Sequence, residues 1–379
     1  MNHRPLGIVT TTHHVFLALC LLGGMLAPAR IATAEPPFHV YAPSAEAARL
    51  WVIAARPSSA GIDLTVEARK DLGFAGRSIA VHPTKPLLYV AGGGPLDNVP
   101  AAAIALGPSG AVAGLRPFTM KHGTAYLATD RSGRFLLSAD YGSGAIDVYA
   151  LDGEGTPTRW VAGRDEGRTN AHAILPPPDN RHLYIPYVKD SNALLQYRFD
   201  AETGAIEPLD PADAAPPAGT GPRHIAYHPT LPVVYFSNEQ HLGVSVYDRD
   251  AAGRLTFRRV CDAVPADEPR QGLSSSDIVI TPDGRFLFAG IRGHGRRFDW
   301  ITRYRIAGNG DVSLIGRTPA DRIPWGFALS PQAEFLFVTS YEDATITAYR
   351  VAADGSLDRA AAIPCDRHIA DIVAVPLKP

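Results

Sequence analysis

A repeat of about 50 residues runs through most of the chain and restricts the folds open to it. Each unit contains an apolar strand-like segment, a turn built on proline or aspartate, and a second apolar segment. Three of the copies are SIAVHPTKPLLYVAGG, HIAYHPTLPVVYFSNE and DIVITPDGRFLFAGIR, which begin at Ser78, His224 and Asp277. A third apolar segment and a less regular fourth follow in most units. A strand-only repeat of this length predicts four-stranded antiparallel sheets that bury their faces against one another.

The two termini supply one further unit. Residues 38–73 contain most of another repeat, and the C-terminal IADIVAVPLKP has the character of the inner strand that this unit lacks. Pairing of these segments would close the sheets into a ring without open edges. We therefore expect an all-β fold, a seven-bladed β-propeller of four-stranded antiparallel blades, with the ring closed by the N- and C-terminal strands.

The first 34 residues have the pattern of a secretory signal. Arg4 precedes the apolar run VFLALCLLGGMLA, and an Ala-Thr-Ala cleavage box ends at Ala34. The apolar run is too short to span a bilayer comfortably. We expect residues 1–34 to be a signal peptide and 35–379 to be a single propeller domain. The mature protein is then expected to be a periplasmic or secreted monomer that makes no membrane contact.

Charge and cysteine content restrict the possible partners. The formal net charge is −2 at pH 7, so no strong basic field attracts nucleic acid. After removal of the signal peptide the chain keeps Cys261 and Cys365, which could pair in an oxidising compartment. They fall in repeats that are not adjacent, so we expect them to stay unpaired.

Alignment of the repeats on their turn residues places chemically active side chains at one end of the ring. The turn residues are Pro83, Asp130, Pro178, Pro229, Pro282 and Pro331. Six residues before them stand Arg77, Thr124, His172, Arg223, Ser276 and Trp325. Ten residues after them stand Gly93, Asp140, Val188, Glu239, Arg292 and Tyr341. Because paired strands are antiparallel, the start of the first strand and the end of the second share one edge, so both sets should surround one mouth of the central channel.

Consecutive repeats bring His172, then Arg223 with Glu239, then Arg292 to this mouth. Arg223 and Glu239 should face each other across the edge of one blade. Spacing alone leaves two interpretations open, a functional site or salt bridges that only tie blades together. The sequence contains no G-x-S-x-G nucleophile motif and no C-x-x-C pair, and we expect neither a metal nor a cofactor.

Three motifs carry a resemblance to a known family, namely GPRHIAYHP with YFSNEQ, AHAILPPPDNRHLYIP, and SDIVITPDGRFLFAGIR. On these motifs the chain resembles the seven-bladed propeller lactonases, which include propeller-type 6-phosphogluconolactonases and the fungal 3-carboxy-cis,cis-muconate lactonizing enzyme. The resemblance covers essentially the whole expected mature chain. It implies the catalytic residues His172, Arg223, Glu239 and Arg292. The neighbouring rim positions give the candidate substrate-binding residues Arg77, Asp140, Trp325 and Tyr341.

One position departs from the family pattern. The last blade of the family commonly has P-R-G before its inner strand, whereas this chain has Trp325 in place of the arginine. The loss of that cation implies a less charged or more planar ligand. Arg296 and Arg297 could restore positive charge near Arg292, or they could be part of the solvated surface.

The four implied catalytic residues suit lactone chemistry in either direction. Glu239 or His172 could activate water, while the two arginines could stabilise an oxyanion or bind an anionic group. We expect an exported lactonase that acts on a small-molecule lactone of the sugar type, 6-phosphogluconolactone-like or related. Export favours a lactone that is not phosphorylated, because 6-phosphogluconolactone is made in the cytosol. A muconate-type cycloisomerase and a non-catalytic propeller that binds a ligand or protein are the alternatives.

Overall fold

The computed structural model describes Met1 and residues 34–94, 98–295 and 299–377. Residues 2–33 of the expected signal peptide lie outside the described residues, as do Arg296 and Arg297. Ala34–Pro379 belongs to one compact unit.

Seven small antiparallel sheets account for the strands of this unit, and each corresponds to one repeat. Blade 1 contains β27 (Val373–Pro376), β1 (Phe38–Ser44), β2 (Arg49–Pro57) and β3 (Ile62–Asp71). Blade 2 contains β4 (Gly76–Val81), β5 (Leu87–Gly92), β6 (Val99–Leu106) and β7 (Val112–Met120). Blade 3 contains β8 (Tyr126–Thr129), β9 (Phe135–Ala139), β10 (Ile146–Leu151) and β11 (Pro157–Arg164).

The other four blades follow in chain order. Blade 4 contains β12 (His182–Tyr187), β13 (Ala193–Phe199) and β14 (Ile206–Asp213), with a short 3₁₀ helix at Lys189–Ser191. Blade 5 contains β15 (Pro222–Tyr227), β16 (Val233–Asn238), β17 (Gly243–Arg249) and β18 (Leu255–Asp262). Blade 6 contains β19 (Ser274–Ile280), β20 (Phe286–Arg292), β21 (Trp300–Ile306) and β22 (Val312–Pro319). Blade 7 contains β23 (Pro324–Leu329), β24 (Phe335–Ser340), β25 (Thr345–Val351) and β26 (Leu357–Pro364). This arrangement confirms the predicted propeller.

The depth of a strand within its blade explains its sequence. Every residue of the second strands β16 and β20 is buried, because neighbouring blades cover both faces of these strands. Their sequences, VVYFSN and FLFAGIR, are accordingly apolar with little alternation. The outermost strand β3 alternates instead between less and more exposed residues, as expected for a strand with one solvated face.

The chain termini close the ring in the predicted way. β27 pairs antiparallel with β1 and becomes the inner strand of blade 1, with Phe38 opposite Pro376 and Tyr41 opposite Val373. The last strand of the chain therefore covers the edge that the first strand would otherwise expose. The predicted closure by both termini is confirmed.

The inner segment of blade 4 departs from the expected strand. Two isolated bridges, at Ala171 and Leu175, stand where a continuous inner strand was predicted. Residues 176–178 are all proline, which has no backbone N–H to donate to a strand ladder. The segment nevertheless keeps the place of an inner strand, because the backbone N–H of His172 donates to Pro186 O at 2.9 Å.

Repeated hydrogen bonds join each of several blades to the next. Buried tyrosines donate their hydroxyl groups to glycine carbonyls of the following blade, in the pairs Tyr41–Gly110, Tyr89–Gly155, Tyr184–Gly253 and Tyr235–Gly310. These glycines occupy tight turns with φ between +81° and +86°, a backbone conformation that residues with a Cβ rarely adopt. The apolar clusters between blades, such as that of Tyr235 with Leu287 and Tyr304, surround these bonds.

Two further observations concern the cysteines and the helices of the described part of the chain. Cys261 and Cys365 are both free thiols, as predicted. No helix within the described residues is long and apolar enough to cross a membrane.

Replacement of Tyr235 by phenylalanine should lower the free energy of unfolding by about 1 kcal/mol, because the substitution removes one buried hydrogen bond, to Gly310 O at 2.7 Å. Tyr247 offers a matched control in the same blade, since its hydroxyl is buried without a hydrogen-bond partner in the described residues. Tyr247→Phe should leave the stability unchanged or slightly raised. Urea unfolding of the two variants measures the difference, and equal losses would contradict the role given to the inter-blade bond.

Candidate active site

A cavity of ≈ 380 Å³ lies at the predicted mouth of the channel. Blades 2 to 7 supply its walls, which are formed by Arg77, Gly94, Thr124, Asp140, Tyr141, Gly142, His172, Glu239, Arg292 and Trp325. Most of these residues belong to the two sets that the alignment of the repeats placed at one mouth. The structure therefore brings the predicted rim positions together around one cavity.

A network of three charged side chains lies at one wall of this cavity, and two of them, Glu239 and Arg292, line it directly. The Nε of Arg223 donates to Oε2 of Glu239 at 3.0 Å, and Nη2 of Arg292 lies 3.4 Å from the same oxygen. Arg292 also donates from Nη2 to Ser275 O at 2.7 Å. The Arg223 side chain is 0% exposed and that of Glu239 is 12% exposed, so the network is shielded from water. Arg223 and Glu239 face each other across the edge of blade 5, as the spacing predicted.

Bulges in the inner strands turn the functional side chains toward the mouth. Two residues of the inner strand oppose one residue of the next strand in three successive blades, as Arg223 and His224 do opposite Ser237. The same irregularity recurs in β19 between Ser275 and Ile278 and in β23 between Pro324 and Phe327. In blade 5, the freed N–H of His224 donates to Ser237 Oγ at 3.2 Å. A bulge re-aims side chains locally, so two consecutive residues become available to one site.

Several donors of the two arginines remain uncommitted. Nη1 and Nη2 of Arg223 and Nε of Arg292 are buried and have no hydrogen-bond partner among the described residues. Burial lowers the pKa of both guanidinium groups, and the proximity of Arg223 lowers the pKa of Arg292 further. Buried polar groups in folded proteins almost always have partners, so these donors are suited to a bound molecule or water.

His172 stands beside this network on the blade 4 side. Its ring makes edge contacts with the rings of Tyr141 at 5.6 Å and His224 at 5.0 Å between centroids. Burial, followed by the charge of Arg223 and the proximity of His224, lowers the pKa of His172 well below its usual value. The imidazole is therefore neutral near pH 7 and keeps a nitrogen lone pair that can accept a proton.

A second histidine and a carboxylate lie directly behind His172, and neither was predicted from the sequence. His224 Nδ1 lies 2.6 Å from Oδ1 of Asp277, and Nε2 of His224 is buried without a partner in the described residues. Asp277 also accepts the backbone N–H of Phe327 at 2.8 Å. Together with His224, these bonds keep the pKa of Asp277 low despite its burial. Both residues stand five positions before their turn residues, so the same alignment read one position later would have found them.

Trp325 contributes a stacked column on the blade 7 side. Its indole stacks on Tyr341 at 4.4 Å between centroids, and Tyr341 in turn packs on His368 at 4.6 Å. The guanidinium carbon of Arg292 lies 4.5 Å from the indole centroid. A tyrosine ring and a guanidinium cannot both approach so closely over one face, so they cover opposite faces of Trp325. Tyr341, a predicted binding residue, lies behind the indole and does not line the cavity.

Asp140 lines the cavity, but its own loop occupies its carboxylate. Oδ2 accepts the backbone N–H of Ser143 at 2.8 Å and its hydroxyl at 2.6 Å, and Oδ1 accepts the N–H of Gly142 at 3.2 Å. The structure therefore gives Asp140 a clear role in shaping the turn. Within the described residues, no cluster of three or more His, Cys, Asp or Glu side chains could hold a metal ion.

The chain matches a known protein family and is similar to curated members of it. Residues 66–368 match the family described as "Lactonase, 7-bladed beta-propeller". The 6-phosphogluconolactonase of Cronobacter sakazakii (strain ATCC BAA-894) is 30% identical over 320 residues, which are 84% of this chain and 92% of that protein. The 6-phosphogluconolactonase of Enterobacter sp. (strain 638) is 30% identical over 72% of this chain and 80% of that protein.

Solved structures share the same fold. The periplasmic gluconolactonase PpgL of Pseudomonas aeruginosa superposes with a TM-score of 0.77 at 19% identity, over 90% of this chain and 100% of that one. A putative 6-phosphogluconolactonase of Bacteroides fragilis gives a TM-score of 0.78 at 17% identity, over 90% and 98%. With the family match and the curated relatives, the conclusion is that the chain belongs to the seven-bladed β-propeller lactonases, a family of lactone hydrolases.

Proposed function

We propose that the chain is an exported lactonase that opens a sugar-type lactone to its hydroxy acid. One observation carries the proposal: neutral His172 lines the same cavity as Arg292 and Glu239, and Arg223 is buried against Glu239 with two uncommitted donors. Lactone hydrolysis requires a group that removes a proton from water and donors that stabilise the developing oxyanion. Both kinds of group are present at this cavity.

His172 is the proposed general base. It removes a proton from water while the water oxygen bonds to the lactone carbonyl carbon. The tetrahedral intermediate then collapses, the ring C–O bond breaks, and the imidazolium returns its proton to the departing alkoxide. The net change is the addition of one water to each opened ring.

Arg223 and Arg292 are the proposed oxyanion donors. Their uncommitted N–H groups are already buried, so they need little reorganisation when negative charge develops on the carbonyl oxygen. Glu239 holds both guanidinium groups through one carboxylate oxygen. Because that oxygen is engaged, we assign Glu239 to positioning the arginines and leave proton removal to His172.

The His224–Asp277 pair is proposed to position His172. The hydrogen bond to Asp277 places the proton of neutral His224 on Nδ1, and burial lowers the pKa of His224. A neutral ring packed against His172 holds the base without adding a second positive charge beside the arginines.

The proposed substrate class draws on cavity size and on the relatives. A cavity of ≈ 380 Å³ suits a single sugar ring, since small-molecule sites span roughly 300–1,000 Å³. The curated relatives are named 6-phosphogluconolactonases, and PpgL is described as a periplasmic gluconolactonase. We assign sugar-type lactones to this chain by that similarity. The expectation of a monomer without nucleic-acid or membrane partners stays a prediction.

Replacement of Glu239 by glutamine should reduce kcat/KM at least about 100-fold, because the two arginines lose the charge that orients them. Proton release from gluconolactone at pH 6.5, corrected for spontaneous hydrolysis, measures the effect. Glu202→Gln is the matched control, since Glu202 forms an exposed pair with Arg134 on the outer surface. Full activity of Glu239→Gln would contradict the proposed site, and no activity of the unaltered chain on any lactone would favour a non-catalytic propeller.

The pH dependence of kcat/KM should show one acidic limb below pH 6.5. Only the neutral form of His172 can accept a proton and its pKa is lowered, so activity is present above that pKa and is lost as the pH falls through it. His172→Gln should be nearly inactive and should lack this limb. Exposed His241, paired with Asp262, provides the control substitution His241→Gln, which should keep the limb. A limb centred at or above pH 6.5 would rule out the neutral base proposed here.

Export should remove the first 34 residues. Expression of the full chain in a bacterial host, followed by cell fractionation, should place the protein in the periplasm with Glu35 as its N-terminal residue. Substitution of Ala34 by a bulky residue should block this cleavage, since signal cleavage sites require small residues there. An uncleaved protein in the cytosolic fraction would overturn the proposed location.

A further inference from the structure

Tyr141 lines the cavity beside the proposed base, and its hydroxyl group has no assigned role in the reaction. Its ring meets the ring of His172 edge-on, with 5.6 Å between the centroids. The side chain is only partly buried, so a molecule in the cavity can reach it. A phenol can donate one hydrogen bond and accept others. The direction of the hydrogen bonds at Tyr141 therefore decides what its hydroxyl can do for a bound lactone.

Lys189 fixes this direction. Its ammonium nitrogen lies 5.3 Å from the centroid of the Tyr141 ring. A hydrogen bond with the Tyr141 side chain is the largest of the effects that raise the pKa of Lys189. An ammonium group can only donate hydrogen bonds, so the phenolic oxygen is the acceptor in this contact. No group among the described residues accepts the hydroxyl proton, which is therefore available to a ligand.

The turn at Asp140 holds Tyr141 in this place. The Asp140 carboxylate accepts the backbone N–H groups of Gly142 at 3.2 Å and Ser143 at 2.8 Å, which closes the turn around the tyrosine. The Tyr141 carbonyl accepts the N–H of Asn170 at 2.8 Å, so the turn is also fixed to the inner segment of blade 4. A side chain on a turn with these bonds is oriented before a substrate arrives.

The backbone holds Lys189 in a conformation that is seldom adopted. Its φ is +54°, in the left-handed region that residues with a Cβ rarely occupy. The N–H of Lys189 donates to Oε1 of Gln240 at 2.9 Å, and Gln240 directly follows Glu239 of the charged network. Strained backbone conformations persist where surrounding contacts enforce them, and they cluster at functional sites. Blade 5 thus helps to keep the lysine beside the tyrosine.

The hydroxyl end of Tyr141 also lies near the charged network. Burial is the main cause of the lowered pKa of Arg292, and Tyr141 is near enough to make a smaller, opposing contribution. Glu239 is likewise near enough to Lys189 to add to the raised pKa of the lysine. In a lactone the ring oxygen and the carbonyl oxygen are attached to the same carbon. When the arginines bind the carbonyl oxygen, a donor close to them can therefore reach the ring oxygen.

We propose that Tyr141 donates a hydrogen bond to the ring oxygen of the bound lactone and is a further catalytic residue of the site. The inference rests on the proposed lactonase function. When the tetrahedral intermediate collapses, the ring C–O bond breaks and its electron pair moves onto this oxygen, where the hydrogen bond stabilises the alkoxide. The imidazolium of His172 then supplies the proton that completes the hydroxy acid, and Tyr141 keeps its own. Lys189 is a positioning residue, because it occupies the phenolic oxygen and leaves the hydroxyl proton for the lactone.

Substitution of sulfur for the ring oxygen isolates the proposed bond. Glucono-1,5-lactone must release an alkoxide, whereas 5-thioglucono-1,5-lactone releases a thiolate, which is a much weaker base and a poor hydrogen-bond acceptor. Tyr141→Phe keeps the ring contact with His172 and should reduce kcat/KM for the oxygen lactone about 10- to 100-fold, the effect of one hydrogen bond to a charged group. Its kcat/KM for the thiolactone should stay nearly the same.

A second measurement follows the breaking bond directly. With 18O in the lactone ring, the kinetic isotope effect on kcat/KM should be larger in Tyr141→Phe than in the unaltered protein, because cleavage of the ring C–O bond then limits the rate more strongly. A merely structural role of the hydroxyl would lower activity without changing this isotope effect. The isotope effect decides the role of Tyr141 if the thiolactone is not a substrate.

Variants at two other positions complete the experiment. Lys189→Met should cause a smaller loss that is again confined to the oxygen lactone. Lys189→Arg should restore activity, since a guanidinium also donates to the phenolic oxygen without accepting its proton. Tyr247→Phe removes a buried hydroxyl of β17 that has no partner among the described residues, and it should leave both rates unchanged.

The outcomes distinguish this inference from the function on which it rests. Equal losses with the oxygen lactone and the thiolactone in Tyr141→Phe, with an unchanged isotope effect, would overturn the role of Tyr141 and leave the lactonase proposal intact. Full activity of Tyr141→Phe would also overturn it. Failure of the unaltered protein to exceed the spontaneous rate with glucono-1,5-lactone and with its 6-phosphate would overturn both proposals.

Discussion

The buried contact of Glu239 with Arg223 and Arg292 is the interaction on which the mouth of this propeller depends. Two guanidinium groups that are almost fully buried repel each other and lose their hydration. A carboxylate placed between them offsets both costs, whereas removal of one partner from a buried ion pair typically costs about 3–5 kcal/mol. The contact also joins blade 5 to blade 6 at the channel mouth. The contact therefore stabilises the ring of blades and also holds the two arginines of the candidate site in place.

This positive network determines the state of the groups around it. The charge of Arg223 adds to burial in lowering the pKa of His172, so the proposed base stays neutral. Asp277 holds the neighbouring His224 by its Nδ1 and keeps the second ring in one orientation. Trp325 covers Arg292 with its indole face and limits the access of water to the guanidinium. The residues near the network thus affect either the protonation of a histidine or the exposure of an arginine to water.

The sequence could predict much of the fold and the membership of the rim, because both follow from a repeated strand pattern. Seven blades, closure by β27 and β1, and the opposition of Arg223 and Glu239 all result from antiparallel pairing about a fixed turn residue. His224 and Asp277 were not predicted, because ideal alternation places consecutive residues on opposite faces, and the bulges break that rule. The interrupted inner segment of blade 4 was missed although its three prolines were visible.

By itself, the sequence determined the number of blades, the way the ring closes and the set of side chains at one mouth, since strand periodicity and turn spacing are local properties of a chain. Only the tertiary structure decided which of those side chains are engaged and which remain available. Asp140 bonds to its own loop, Tyr341 lies behind Trp325, and several donors of Arg223 and Arg292 have no partner among the described residues. These differences depend on distances between blades that are remote in sequence, and burial there sets the cost of each unpaired charge.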